Sequence, residues 1–225
     1  MPYTGHGVNQ LRARASKQAE PEGEVDRVYR QLRAWLLECE FKPGDFLSEV
    51  ELARLCSTSR TPVREACNRL SQEKWITRIR HKGYMVPPIS IRQIVEIYEY
   101  RKLLECFTAE RAAQTASADE IAKLSKIIEA ERRAKATVAE VVAANDTFHM
   151  GLAEIARNQR VIEEVKATLE YVHRLDVLST QRDTVWIPHA EILNALEARK
   201  PVLASKAMAS HVDNSRDRML RLFGT

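Results

Sequence analysis

Glycine is scarce in this chain, with 7 among 225 residues, and proline adds only 8. A sequence so poor in turn formers, and rich in Ala, Leu, Glu, Arg and Lys, should be mostly helical. Cysteine is equally sparse. Cys39, Cys56, Cys67 and Cys106 make no CxxC pair and show no secretory spacing, which argues against a disulfide framework. Cys56 and Cys67 fall where apolar residues would pack, so they read as buried, reduced thiols. No apolar run approaches membrane-spanning length and the N-terminus lacks a signal-peptide core. A cytoplasmic protein with no membrane partner is expected. Internal repeats and low-complexity tracts are missing too.

Hydrophobic residues make up 44% of the chain and charged residues 29%, enough for a real core under a soluble surface. The net charge of +4 is too small to identify a partner, but its distribution is informative. Between Arg54 and Lys82 lie eight bases (Arg54, Arg60, Arg64, Arg69, Lys74, Arg78, Arg80, Lys82) against Glu65 and Glu73, giving 8 − 2 = +6. Such a cluster suits a phosphate-facing surface, although charge alone equally suits a solvated basic face.

Three regions follow from the patterning. Residues 1–23 are polar and without periodicity, and read as a flexible arm in which Arg12, Arg14 and Lys17 meet DNA. Residues 24–88 open on a helix with Val25, Val28, Leu32, Trp35 and Leu36 at three- and four-residue spacing. The turn Phe41-Lys42-Pro43-Gly44 ends it. Ser48-Glu49-Val50-Glu51 is a capping box for a short second helix carrying Leu52, Ala53 and Leu55. After a break at Ser57-Thr58, a third helix starts near Ser59 or Arg60, with Pro62 in its first turn. Val63, Ala66, Cys67 and Leu70 form its apolar stripe. Two extended pieces, residues 75–79 and 83–86, make a hairpin whose tip is Arg80-His81-Lys82. Pro87-Pro88 closes the region as a stiff linker.

Residues 89–225 read as helix throughout, over about 90–114, from a capping box at Ser117–Glu120, and over 138–156, 160–178, 186–198 and 201–222. The expected fold is therefore mainly α, a winged helix-turn-helix followed by an all-α bundle.

Helix, capped short helix, break, and basic helix with a hairpin wing is an architecture that places one helix in the major groove of double-stranded DNA. Arg60, Thr61 and Arg64 lie near the leading end of that helix, where arginine reaches guanine edges bidentately. Arg78, Arg80, His81 and Lys82 suit the phosphate backbone or minor groove. The runs Pro43–Glu49, Glu51-Leu52-Ala53 and Ser59-Arg60-Thr61-Pro62-Val63-Arg64-Glu65-Ala66 resemble the GntR family of transcription regulators over roughly residues 28–86. The resemblance implies that Ser59, Arg60, Thr61 and Arg64 are the recognition contacts, with Gly83 at the wing turn. Val50 stands where some members carry a DNA-contacting arginine. Ser57-Thr58 replaces a usual Gly-Val, and Lys74 a usual glycine.

In the helical region Asn145 and His149 share one helix face. His189 aligns with Ile192, Leu193 and Leu196, and His211 with Ala204, Ala207 and Met208. Inward histidines are either hydrogen-bonded core groups or, where several converge, ligands of a divalent ion such as zinc or nickel. The residues alone leave both open. Arg101, in step with Ile94, Tyr98 and Glu105, either pairs internally with Glu105 or clamps the carboxylate of an effector.

Residues 96–105 (Glu96 to Glu105), Asn145–His149, His189 and His211-Val212 are similar to the FCD ligand-binding domain of FadR-type GntR regulators, over about residues 90–222. This implies His149, His189 and His211 as metal ligands, with Asn145 as fourth where many members have aspartate, and a small organic acid as effector beside Arg101. Asp146, about 100° around an ideal helix from Asn145, is a poorer candidate. The reading is a dimeric regulator, a repressor of a palindromic operator. A metal-only sensor and a metal-dependent enzyme are the alternatives. The lack of an HExxH element or an obvious general base argues against the enzyme.

Overall fold

The computed structural model describes residues 23–131, 137–179 and 189–224. All of the expected arm except Gly23, and the start of the helix expected from Trp186, lie outside these residues. The described residues hold nine helices and three strands, in two compact units. One comprises residues 23–36 and 44–87, the other residues 37–43 and 88–224.

In the first unit, α1 (Glu24–Leu37) buries Val28, Leu32 and Leu36 at helical spacing. Strand β1 (Phe46–Leu47) precedes α2 (Glu49–Leu55), whose start is capped by the Ser48 hydroxyl accepting the Glu51 amide at 3.1 Å, one half of the expected box. Helix α3 (Arg60–Gln72) buries the expected stripe of Val63, Ala66, Cys67 and Leu70. Burial pushes the Cys67 thiol up to about 12, so it packs as a small hydrophobe.

Strands β2 (Thr77–Ile79) and β3 (Gly83–Met85) form the wing, antiparallel, with Arg78 opposite Tyr84 and Ile79 opposite Gly83. The sheet has a third member that sequence patterning does not suggest. β1 pairs antiparallel with β3, Phe46 opposite Met85 and Leu47 opposite Tyr84, giving the order β1-β3-β2. A two-residue strand carries too little alternation to register as a pattern. It explains Gly83 structurally: a Cβ there would sit 2.5 Å from the Leu47 carbonyl oxygen, and the backbone has φ +97°.

The second unit contains α4 (Ile91–Thr115), α5 (Ala118–Glu131), α6 (Val138–Ile155), α7 (Gln159–Ser179), α8 (Ala190–Glu197) and α9 (Pro201–Phe223). Ser117 and Glu120 form the expected reciprocal box at the start of α5. Thr137 and Glu140 form another at α6. The core runs through Ile94, Tyr98, Ala109, Leu124, Phe148, Leu152, Val172, Leu196 and Met208. Helix α4 packs along α9, and α6 lies against α4, α5 and α7. Small residues at Ala109, Ala112 and Ala113 leave the backbone of α4 close to its neighbours. No helix among the described residues is long and apolar enough to cross a membrane.

Candidate functional site

In the first unit the expected contact residues are placed at the leading end of α3. Ser59 occupies the N-cap position without a side-chain cap, leaving its hydroxyl uncommitted to the helix. Ser59, Arg60, Thr61 and Arg64 are exposed. Both arginines converge on Glu49, from the first turn of α2: Arg64 grips its carboxylate with Nε at 3.0 Å and Nη2 at 2.8 Å, and Arg60 Nη2 reaches it at 3.3 Å. The Arg64 hydrogen bond holds the Glu49 carboxyl below its ordinary range, against an opposing effect of burial. Glu49 thus orients both guanidinium groups, a role that sequence reasoning missed because it depends on how α2 crosses α3.

In the wing, Arg78, Arg80 and Lys82 are exposed, and Arg80 Nε donates to His81 Nε2 at 3.1 Å. Val50, where an arginine would offer a further contact, is 62% exposed.

In the second unit three histidines from three regions of the chain meet. His149 comes from α6, His211 from α9, and His189 from the residue that caps α8, where its carbonyl accepts the Ile192 and Leu193 amides at 3.1 Å. All three are buried, and one ring nitrogen from each lies within 4.8 Å of the others. His149 Nε2 and His189 Nε2 are 3.1 Å apart, and the His189 and His211 ring centroids 4.4 Å. Phe148 walls one side, its ring centroid 4.4 Å from that of His189.

Glu105 on α4 contacts His149 Nδ1 with one carboxylate oxygen and accepts from Arg101 Nε at 2.5 Å with the other. Arg101 Nη2, which can only donate, lies 2.9 Å from His149 Nε2, so the lone pair is on Nε2 and the proton on Nδ1, facing the Glu105 carboxylate. Burial drives the His149 pKa down to about 4, only partly opposed by Glu105, and burial takes His189 to about 3. Burial by itself would raise Glu105, but Arg101 and His149 outweigh it and hold the carboxyl at about 2. At neutral pH His149 and His189 are therefore uncharged, and an ionised carboxylate orients His149. This donor set fits a divalent transition metal, whose nitrogen ligands sit about 2.0–2.1 Å from the ion.

Asn145 is buried one turn before His149, and its amide nitrogen donates to Asp146 Oδ1 at 3.4 Å. Asp146 is turned to α7, where its Oδ2 lies 2.5 Å from His173 Nδ1 and raises that imidazole's pKa. Arg101 is 1% exposed and its Nη2 donates to His149 Nε2 at 2.9 Å. Its internal partner is thus Glu105, one of the two arrangements that its spacing allowed.

Beside it lies a second buried pair that sequence reasoning missed. Arg218 on α9 donates to Asp176 Oδ1 at 2.8 Å and to the Ser179 hydroxyl at 3.1 Å. Arg218 follows His211 by seven residues, and Asp176 follows the buried Val172 by four, so both sit on inward faces. That periodicity was the available signal.

Residues 96–214 match the FCD domain, and residues 24–86 match the model described as "Bacterial regulatory proteins, gntR family". The chain is 28% identical to the Nta operon transcriptional regulator of Aminobacter aminovorans, over 81% of this chain and 88% of that protein. It is 29% identical to the HTH-type transcriptional repressor RspR of Escherichia coli (strain K12), over 87% and 89% of the two chains. Among solved structures, E. coli McbR/YncC superimposes with a TM-score of 0.72 at 20% identity, covering 89% of this chain and 99% of that one. A putative GntR regulator from Rhodococcus sp. RHA1 gives a TM-score of 0.73 at 23% identity, covering 88% and 97%. At these identities the two structures speak for the fold alone.

Proposed function

Because the chain belongs to the GntR family of bacterial regulatory proteins and carries an FCD domain, we propose that it is a cytoplasmic, homodimeric repressor whose operator affinity changes when a small organic acid binds at a divalent metal in the helical unit. Its family and named relatives are transcription regulators, which places it among DNA-binding regulators and not enzymes. Ser59, Arg60, Thr61 and Arg64 would read base edges and adjacent phosphates, while Arg78, Arg80, Lys82 and the backbone near Gly83 follow the duplex. A palindromic operator follows from a two-fold dimer of such heads. Leu103 and Phe107, one turn apart on α4 and respectively 73% and 42% exposed, supply an apolar face for the partner copy.

The observation that carries the ligand-binding half is the buried histidine triad with Glu105 behind His149. His149, His189 and His211 would hold the ion, with Asn145 as a neutral oxygen ligand. When bound, a zinc or nickel ion offers an open coordination position to a carboxylate. Arg101 is near enough to His149 to meet the same carboxylate. One observation favours a metal-only sensor instead: Glu105 already compensates the Arg101 charge. A thermal-shift series with small carboxylic acids, on metal-stripped and metal-restored protein, separates the two. Stabilisation confined to the metal-restored form supports the acid-responsive reading, and no shift with any acid supports the metal-only one.

For DNA, selection from random duplexes by the full chain should enrich a palindrome. Arg64→Ala should weaken binding to it by roughly ten- to hundredfold, the range for one lost bidentate base contact. Unchanged affinity would contradict the assignment of α3.

A further inference from the structure

The Nε2 lone pair of His149 faces two neighbours at once. A neutral imidazole has one in-plane lone pair, and with a donor-only guanidinium on Nε2 and a carboxylate facing Nδ1 that pair is on Nε2. It accepts from Arg101 Nη2 at 2.9 Å and faces His189 Nε2 at 3.1 Å. The same atom is the one His149 has left to offer to a metal ion. A lone pair donated to a cation at about 2.0–2.1 Å cannot also accept a guanidinium N–H, and the two positive charges would repel across a buried, poorly screened gap.

We infer that Arg101 guards the metal site: its guanidinium must leave His149 Nε2 before that atom can ligate an ion, and it leaves still tethered to Glu105, ready to bind an anion. The tether is the 2.5 Å contact from Nε to the Glu105 oxygen that does not touch His149. Because this contact is separate from the one to His149, the guanidinium can swing away from Nε2 as a unit with its charge still beside Glu105. Both ends of the device hang on one carboxylate, since Glu105 orients the ligand with one oxygen and holds the guard with the other. No proton is gained or lost by Arg101: burial alone would lower its pKa, but Glu105 and its other neighbours outweigh that and the guanidinium stays charged. The guard makes metal and anion binding cooperative: the ion displaces Nη2, and the displaced Nη2 completes a site for a carboxylate beside the ion. This inference rests on the histidine triad being a metal site.

The test uses Co2+ as the probe, read from its visible ligand-field absorption and from competition with a chelator, on the full-length metal-stripped chain. Arg101→Met removes the guard, and Co2+ should bind about tenfold more tightly, reflecting the loss of one charge-assisted competing hydrogen bond. Arg101→Lys is the second variant, for the case that Arg101→Met does not fold. Its ammonium keeps the charge against Glu105 but lacks the fork needed to reach both partners, so it should also tighten Co2+ binding. Equal or weaker Co2+ binding by the folded variants, with a wild type that binds, overturns the guard and leaves the metal site standing. No Co2+ binding by any of the proteins overturns the metal reading and the guard together. Acetate, supplied as the anion, should tighten Co2+ binding to the wild type by more than it does for Arg101→Met. Equal effects in the two, including none, overturn the coupling.

Discussion

Individual residues hold backbone conformations that glycine adopts more readily, at a measurable cost. Ser57 and Lys74 both adopt left-handed backbone, with φ 51° and 65°. Each follows a helix end where an amide reaches back five residues, Thr58 to the Ala53 carbonyl and Trp75 to that of Leu70, both at 2.9 Å. That closure requires positive φ at the residue between, which a Cβ resists by about 1–2 kcal/mol. Ser57→Gly and Lys74→Gly should therefore each stabilise the DNA-binding unit by roughly 1 kcal/mol in urea unfolding, after the larger unfolded-state entropy of glycine is counted. A loss of stability would show that the side chains contribute more than the strain costs. Gly83→Ala tests the opposite case. Its Cβ would strike the Leu47 carbonyl oxygen, so the wing should loosen with a loss of roughly 1–3 kcal/mol.

Elements were legible where burial is periodic. The stripe Val63, Ala66, Cys67 and Leu70 announced α3, and the Ser117–Glu120 box announced α5, because each signal is local. β1 was not legible, since its two residues become a strand only by pairing with β3 across nearly forty positions. The site divides along the same line. Helical spacing pointed His149, His189 and His211 inward, but whether they meet depends on how α6, α8 and α9 pack. Glu49, Asp176 and Arg218 stayed hidden because their partners lie on other helices. Glu105 was visible only as a neighbour of Arg101, and its hold on His149 emerged with the packing of α4 on α6. At this scale the Thr137 cap is a clean probe. Thr137→Ala removes the Glu140 amide's acceptor at the start of the helix that carries His149, and should cost about 1 kcal/mol in stability. No loss would mean that the cap adds nothing beyond packing.

The whole molecule should respond to acid in a direction set by its buried groups. His149 and His189 titrate at about 4 and 3 when folded, against an ordinary 6.5, so the unfolded chain takes up protons that the folded chain refuses. Asp176 acts oppositely: burial lifts it from 3.8 to about 6, with Arg218 opposing, so protonation favours the folded state between those values. His173, raised by its hydrogen bond to Asp146, opposes the two near pH 6.5, and Asp176 opposes them below 6, so stability of the metal-stripped protein should fall between about pH 5.5 and 4 by roughly 1.4 kcal/mol per pH unit. Asp176→Asn should steepen that slope, and a profile flat or rising toward acid would contradict the burial of neutral histidines.

The metal content of the purified chain tests the histidine triad most directly. After zinc or nickel is supplied and excess ion is dialysed away, elemental analysis should find about one ion per wild-type chain and almost none in a folded His189→Ala variant. A wild type that retains no ion would contradict the histidine triad as a metal site, and equal retention by both proteins would place the ion elsewhere.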